Sequence, residues 1–332
     1  MPSPLADEST LLLELQALAG QGKYRDVVDR IRALPASAVG ERTPFALLAA
    51  EAHGRLGELD PAGRWAERAL EVALRNVDSR AELRAVHLKG AIAWQLGALA
   101  DAERHFQRAL ELARALHDVA AEARAFNNLG ILHDRRGDAE EALATYQLAL
   151  AAHQQAGSLR GMAETQTNLE ISWLALGNTS QARDAADEAV RLAREAGDAT
   201  LLGVALVARA EASLALGDPD LASAELARAE DAYQGVRFAA GLAEIRRLQA
   251  MVARARDDPP RARQLLEQAR GLAPQGASLD TAAEIERDLG DVLAALGDGT
   301  GARAARERAM ALFHRLGALR AERALAALLA PP

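Results

Sequence analysis

The side chains able to do chemistry in this chain are seven histidines, many carboxylates and one glycine-rich turn, because cysteine is absent. Without a thiol, disulfides, thiolate nucleophiles and zinc–thiolate sites are excluded. His53, His87, His105, His117, His133, His153 and His314 include no His-x3-His pair with acidic support, the arrangement that brings two imidazoles onto one helix face for a metal. Gly297-Asp298-Gly299-Thr300-Gly301 has the glycines of a phosphate cradle, but no Lys-Ser/Thr follows it and no strand precedes it. Asn178-Thr179-Ser180 fits a glycosylation sequon and also falls where a helix should begin. The carboxylates are spread at helix-surface spacing, where arginine or water satisfies them. No nucleophile stands beside a base. The expectation is a protein that is not an enzyme and that needs no cofactor or metal.

Composition narrows the classes further. The chain has 332 residues, 39 basic and 47 acidic, for a net charge of −8. The signs are interspersed, which argues against nucleic acid and against an anionic membrane as partners. No run of about 18 apolar residues could span a bilayer, and Met1–Gly20 lacks the basic start and long apolar stretch of a secretory signal. A cytoplasmic location is expected. Half of the residues are hydrophobic but only 3% are aromatic. An apolar set dominated by alanine and leucine favours helix over strand.

The elements that would position any site come from a repeat. Gly57, Gly97, Gly137, Gly177, Gly217 and Gly297 stand 40 residues apart, with Asp257 in the one missing slot. Five residues after each comes an alanine (Ala62, Ala102, Ala142, Ala182, Ala222, Ala262, Ala302). Seven further on comes another (Ala69, Ala109, Ala149, Ala189, Ala229, Ala269, Ala309). The glycine suits the left-handed residue that ends a helix. Asp138, Asn178, Asp218, Asp258 and Asp298 follow as cap candidates, and Asp138/Glu141 and Asn178/Gln181 have capping-box spacing. The two alanines share one face of the next helix and allow close helix approach. A second breakpoint twenty residues away carries Gly157, Gly197 and Gly317, with Asp78, Asp118, Ser158, Asp198 and Ser278 as caps.

Each 40-residue period therefore predicts two antiparallel helices of roughly 17 residues joined by short turns. The pairs fall at 5–34, 42–76, 78–116, 118–156, 158–196, 198–235, 237–272 and 277–316, and a last helix at 318–330 caps the open end. The 5–34 pair is atypical. Pro259, Pro260 and Pro274 weaken the seventh pair, and Pro35 with Ala36–Arg42 is the loosest link. No domain boundary is visible, so the expectation is one all-α array over 1–332.

Phe126, Leu129, Gly130 and His133, then Ala142, Tyr146 and Ala149, resemble the tetratricopeptide pattern W-x2-L-G-x2-Y, A-x3-F, A; Gln154 stands where the pattern has proline. The small slot of Gly130 recurs as Ala50, Gly90, Ala210, Ala250 and Gly290, with Glu170 the exception. The period is 40 rather than 34, and Phe126-Asn127-Asn128-Leu129-Gly130 is similar to the longer-helix subclass of kinesin light chains and bacterial peptide-responsive regulators. The resemblance covers 5–316, with tetratricopeptide-like repeats at 42–316. It implies a right-handed α–α superhelix of about eight pairs.

The same resemblance implies that first helices line a concave surface. On the Phe126 repeat the facing residues are then 124, 127, 131, 134 and 135, with 128 at the edge. Carried through the array, the candidates for a peptide- or protein-binding groove are Arg84, His87, Trp94, Arg124, Asn127, Asn128, Ile131, Arg135, Thr167, Asn168 and Ile171. Arginine can fork onto carboxylate, asparagine can satisfy an extended backbone, and Trp94 offers a flat anchor. Asn128 and Asn168, one repeat apart, could instead bond each other or a neighbouring backbone. In the sixth pair Val204, Val207, Leu214 and Ala215 form an apolar set that could receive an amphipathic helix or be covered by the protein itself. The expected function is a scaffold or adaptor holding a protein or peptide partner. Alternatives are a peptide-sensing regulator and a self-assembling structural protein, the latter a homo-oligomer through its terminal pairs.

Overall fold

The 40-residue period appears in three dimensions as helix after helix. A computed structural model describes residues 4–34, 42–234, 238–272 and 279–329. Among them are seventeen α-helices, most of 17 residues and so about 25 Å long. They are α1 Pro4–Gly20, α2 Tyr24–Arg32, α3 Thr43–Arg55, α4 Leu59–Arg75, α5 Ser79–Gln95, α6 Leu99–Ala115, α7 Val119–Arg136, α8 Ala139–Gln155 and α9 Leu159–Ala175. They continue as α10 Thr179–Glu195, α11 Ala199–Ala215, α12 Pro219–Ala232, α13 Ala239–Ala255, α14 Pro259–Leu272, α15 Leu279–Ala295, α16 Gly299–Arg315 and α17 Leu319–Leu329. The Pro35–Glu41 link, Pro274 and the cap candidate Ser278 lie outside the described residues. The chain falls into two compact units, Met1–Ala125 and Phe126–Pro332, the division lying within α7.

The turns follow from the residues at them. At Gly57 the φ angle is +74°; the Glu58 amide donates to the His53 carbonyl at 2.9 Å and the Gly57 amide to Gly54 at 3.0 Å. This is the paired closure that a left-handed residue after a helix permits. Among the described residues three slots lack glycine, and Val77, His117 and Asp257 are held at φ +55°, +53° and +59°. A β-branched side chain in that region is strained by about 1–2 kcal/mol. Val77 is 85% exposed, so its side chain gains little from packing. We expect Val77→Gly to raise stability by about 1 kcal/mol, read as a shifted urea midpoint with an unchanged slope.

Capping is shared unevenly. Asp78, Asp118, Ser158 and Asp198 accept from the backbone amides of Ala81, Ala121, Gly161 and Leu201, and Asp218, Asp258 and Asp298 do the same for Leu221, Arg261 and Gly301. Asp138 and Asn178 make no side-chain cap, so the two capping boxes expected from spacing do not form there; their carbonyls still accept from Ala142 and Ala182. Pro259 and Pro260 open α14 rather than weaken it, since the first helical turn has no use for their missing N–H.

All fourteen alanines of the two series are at most 2% exposed. They let the neighbouring helix sit close, and larger residues opposite fill what remains. The small slot of the first helix, sixteen residues before the large residue that faces it, works the same way in reverse. A Cβ added at Gly90 would lie 2.6 Å from the Phe106 ring, and one at Gly130 2.4 Å from the Tyr146 ring. Glu170 occupies this slot in the pair α9–α10, and the residue at the same offset of sixteen is Ala186. The large and small partners are exchanged, so volume is conserved. At the carboxyl end α17 packs Leu325, 2% exposed, into a cluster with Phe313 and Leu316, as expected of a cap.

Candidate functional site

In Met1–Ala125 the first helices α3 and α5, with the start of α7, line a cavity of about 600 Å³. Its apolar floor is Leu83, Leu88, Ala91, Ile92 and Ala121; its polar wall is Arg55, Arg80, Arg84, Arg124, Glu51 and Asp118. The four arginines are exposed, while Asp118 is engaged as the cap of α7. The wall exists because residues three, four and seven apart on α5 share one face, and because the helix ahead contributes the same offsets one repeat earlier. His87 stands among these arginines, half-buried, its ring 5.8 Å from that of Phe106. Burial pushes the imidazole down to about 4, and the charge of Arg124 adds to this. It is therefore neutral at pH 7 and contributes no positive charge.

That depression has a measurable consequence. The unfolded imidazole titrates near 6.5 and the folded one near 4. Protons thus bind the unfolded chain first, and stability falls as the pH drops from about 6.5 to 4, by on the order of 3 kcal/mol in full. Replacing His87 with phenylalanine should flatten that limb of the stability–pH curve, as followed by thermal melts at steps of pH.

In the second unit, polar side chains bond one another. Asn127 Oδ1 accepts from Thr165 Oγ1 at 3.0 Å and from Asn168 Nδ2 at 3.1 Å. Ser172 and Tyr146 both donate to Asp134, at 2.7 and 2.8 Å. Thr167 Oγ1 donates to the Ala163 carbonyl. Arg135 forks onto Asp280 at the start of α15, one arm at 2.7 Å. Further along, Arg247, 6% exposed, reaches Glu244, Asp288 and Glu211 at 2.7, 3.0 and 3.3 Å. Arg287 joins Asp288 at 3.0 Å and pairs with Glu284. Burial pushes Glu284 up to about 7 against the pull of Arg287 and Arg247, and it raises Glu211 as well, opposed by Arg247. Glu170 is fully buried and neither carboxyl oxygen has a hydrogen-bond partner; burial holds it well above the usual carboxylate range, and the charge of Glu211 adds.

The eleven groove candidates thus separate. Arg84, His87 and Arg124 come together on the first unit's cavity, whereas Trp94 is half-buried and not part of its lining. Asn127, Thr167, Asn168 and Arg135 are engaged by their own unit. Asn168 bonds Asn127 rather than Asn128. Ile131 packs beside Tyr146 and Leu169, and Ile171 is 50% exposed. Val207 is buried in the second unit's core with Leu214 against it, while Val204 is half-buried and Ala215 exposed, so only part of the apolar set of the sixth pair is covered by the protein itself. Glu51 and Arg55 were not singled out from sequence, although the groove offsets applied one repeat earlier give both. Arg80 and Asp118 lie outside those offsets; Asp118 was legible only as a helix cap, and Arg80 carried no signal. Among the described residues no helix is long and apolar enough to cross a membrane.

Residues 83–155 match the model of the tetratricopeptide repeat. That segment carries tetratricopeptide repeats. The match spans α5 to α8 and includes Gly90 and Gly130, the two close-approach glycines of the pairs α5–α6 and α7–α8. No curated protein matches the sequence. Among solved structures, a Rap protein complexed with competence and sporulation factor is similar over 98% of this chain and 95% of that one, at 12% identity and a TM-score of 0.62. NprR in complex with its cognate peptide NprX is similar over 91% and 87%, at 14% identity and 0.63. The apo form of the quorum sensor NprR from B. thuringiensis is similar over 98% of both chains, at 12% identity and 0.57. At these identities the likeness is one of tetratricopeptide fold.

Proposed function

We propose that this chain is a non-catalytic adaptor that holds a segment of a protein or peptide, and that the cavity of Met1–Ala125 is where it does so. One contrast carries the reading. Asn127, Asn168, Arg135 and Arg247 of the second unit are committed to partners within that unit, while Arg55, Arg80, Arg84 and Arg124 line an open cavity and take part in no ion pair among the described residues. Its volume is within the range of sites that hold small guests, and its make-up, an apolar floor with a few convergent polar groups, is the usual one for recognition. The similarity of fold to proteins solved with a factor or a cognate peptide bound supports a guest of peptide size. A peptide-sensing regulator is the reading next in line on the same ground; it adds the expectation of compaction in solution scattering when the peptide binds.

Affinity capture with the wild-type chain and with Arg84→Glu/Arg124→Glu tests the proposal. Partners retained by the wild type and lost by the charge-reversed chain support it. The same partners on both chains would remove the cavity from the account.

A further inference from the structure

The cavity wall has an imbalance of charge. Four arginines face it against Glu51 and Asp118, an excess of two positive charges in a chain whose net charge is −8. In the buried cluster of the second unit, by contrast, Arg247 is outnumbered by Glu211, Glu244 and Asp288. The cationic groups at the cavity are guanidiniums, whose planar fork fits a carboxylate with two parallel hydrogen bonds. The site is also long. Arg80 and Gln95 both line it and stand fifteen residues apart on α5, about 22 Å along the axis. An extended segment of roughly six or seven residues spans that distance, whereas a single small anion would occupy one end. The floor of Leu83, Leu88, Ala91 and Ile92 calls for apolar side chains on the same guest. Nucleic acid fits less well, because the lining offers no free aromatic platform for bases; the one ring present, His87, is turned against Phe106.

We infer that the guest of this cavity is an acidic peptide segment, extended along α5, that places at least two carboxylates on the arginines of the wall and apolar side chains between them. This rests on the cavity being the binding site, as proposed above, and adds the chemical class of what binds.

The test uses the full chain and three fluorescein-labelled octapeptides blocked at both ends, alternating leucine with glutamate, glutamine or lysine, read by fluorescence anisotropy. The glutamate peptide is expected to bind at least tenfold more tightly than the glutamine peptide, the lysine peptide not at all. The preference should shrink as salt is raised from 50 to 500 mM, because exposed charges are screened. Arg84→Gln/Arg124→Gln should weaken the glutamate peptide at least tenfold and leave the glutamine peptide unchanged. Arg194→Gln/Arg228→Gln, two exposed arginines of the second unit, should change neither. All four arginines are at the surface, and circular-dichroism melts confirm that each variant folds.

Ala91→Phe narrows the cavity without altering its charge and separates the two levels of inference. If glutamate and glutamine peptides bind alike and both are lost in Ala91→Phe, the cavity stands and the acidic class is wrong. If no peptide binds, or Ala91→Phe changes nothing, both are overturned. Displacement of the glutamate peptide by a single-stranded oligonucleotide that binds more tightly would replace the acidic peptide with a nucleic acid.

Discussion

Replacing Arg247 with leucine should lower stability by about 3 to 5 kcal/mol at pH 8 and by clearly less at pH 5. Arg247 is the hub of a buried cluster, meeting Glu244, Asp288 and Glu211 from α13, α15 and α11. Removing one partner of a buried ion pair leaves the others uncompensated, which is the costly way to break it. The pH dependence follows from the carboxyls. Glu284 is already pushed up to about 7 by burial, and Arg247 is one of the two charges that hold it from rising further. A carboxyl whose folded pKa lies above its unfolded value favours the folded state below the unfolded pKa, and loses that advantage as pH rises through the folded one. Without Arg247 these folded values climb, so the variant is worst where the carboxyls must ionise. Urea titrations at pH 5, 6.5 and 8 measure this. An equal loss at every pH would mean that packing of the arginine stem, not its charge, matters.

Gly130→Leu is expected to cost about 3 kcal/mol, and most of that loss should vanish when Tyr146 is made alanine in the same chain. The added side chain begins 2.4 Å from the Tyr146 ring, in an interface without spare volume, where overpacking is destabilising. Tyr146→Ala alone opens a cavity and removes the hydrogen bond to Asp134, at a similar price. The double variant reproduces the arrangement that the chain itself uses one repeat on, where the large residue, Glu170, is on the first helix and the small one, Ala186, on the second. A double-mutant cycle should therefore show coupling of about 2 kcal/mol or more. Simple additivity of the two losses would sink this view of the helix interface.

The features that organise the fold were legible because they are periodic. Gly57 and its counterparts mark turns by the one backbone conformation that glycine enters freely, and the two alanine series mark a face, so helix order and pairing could be read from spacing alone. What spacing could not supply was which polar residues would find one another. Asn127 and Arg135 belong to the same set of groove offsets as Arg84 and Arg124, with Asn168 at its edge, yet these three are engaged by Thr165, Asp280 and each other, because residues from several repeats converge there. Pairs such as Arg135–Asp280 are 145 residues apart, beyond any local pattern. Glu170 stood out in sequence as the exception to a small slot, but its compensation by Ala186 needed the offset of sixteen that Phe106 and Tyr146 reveal.

The inner face of α5, rather than that of the second unit, should carry the guest. A photo-crosslinking residue placed at Ala91, on the cavity floor, and separately at Ile171, on the second unit, tests this with a mixed library of blocked octapeptides spanning acidic, neutral and basic composition. Crosslinked peptide from position 91 with little or none from 171 is the outcome predicted here. Equal yields, or capture at 171 alone, would contradict it.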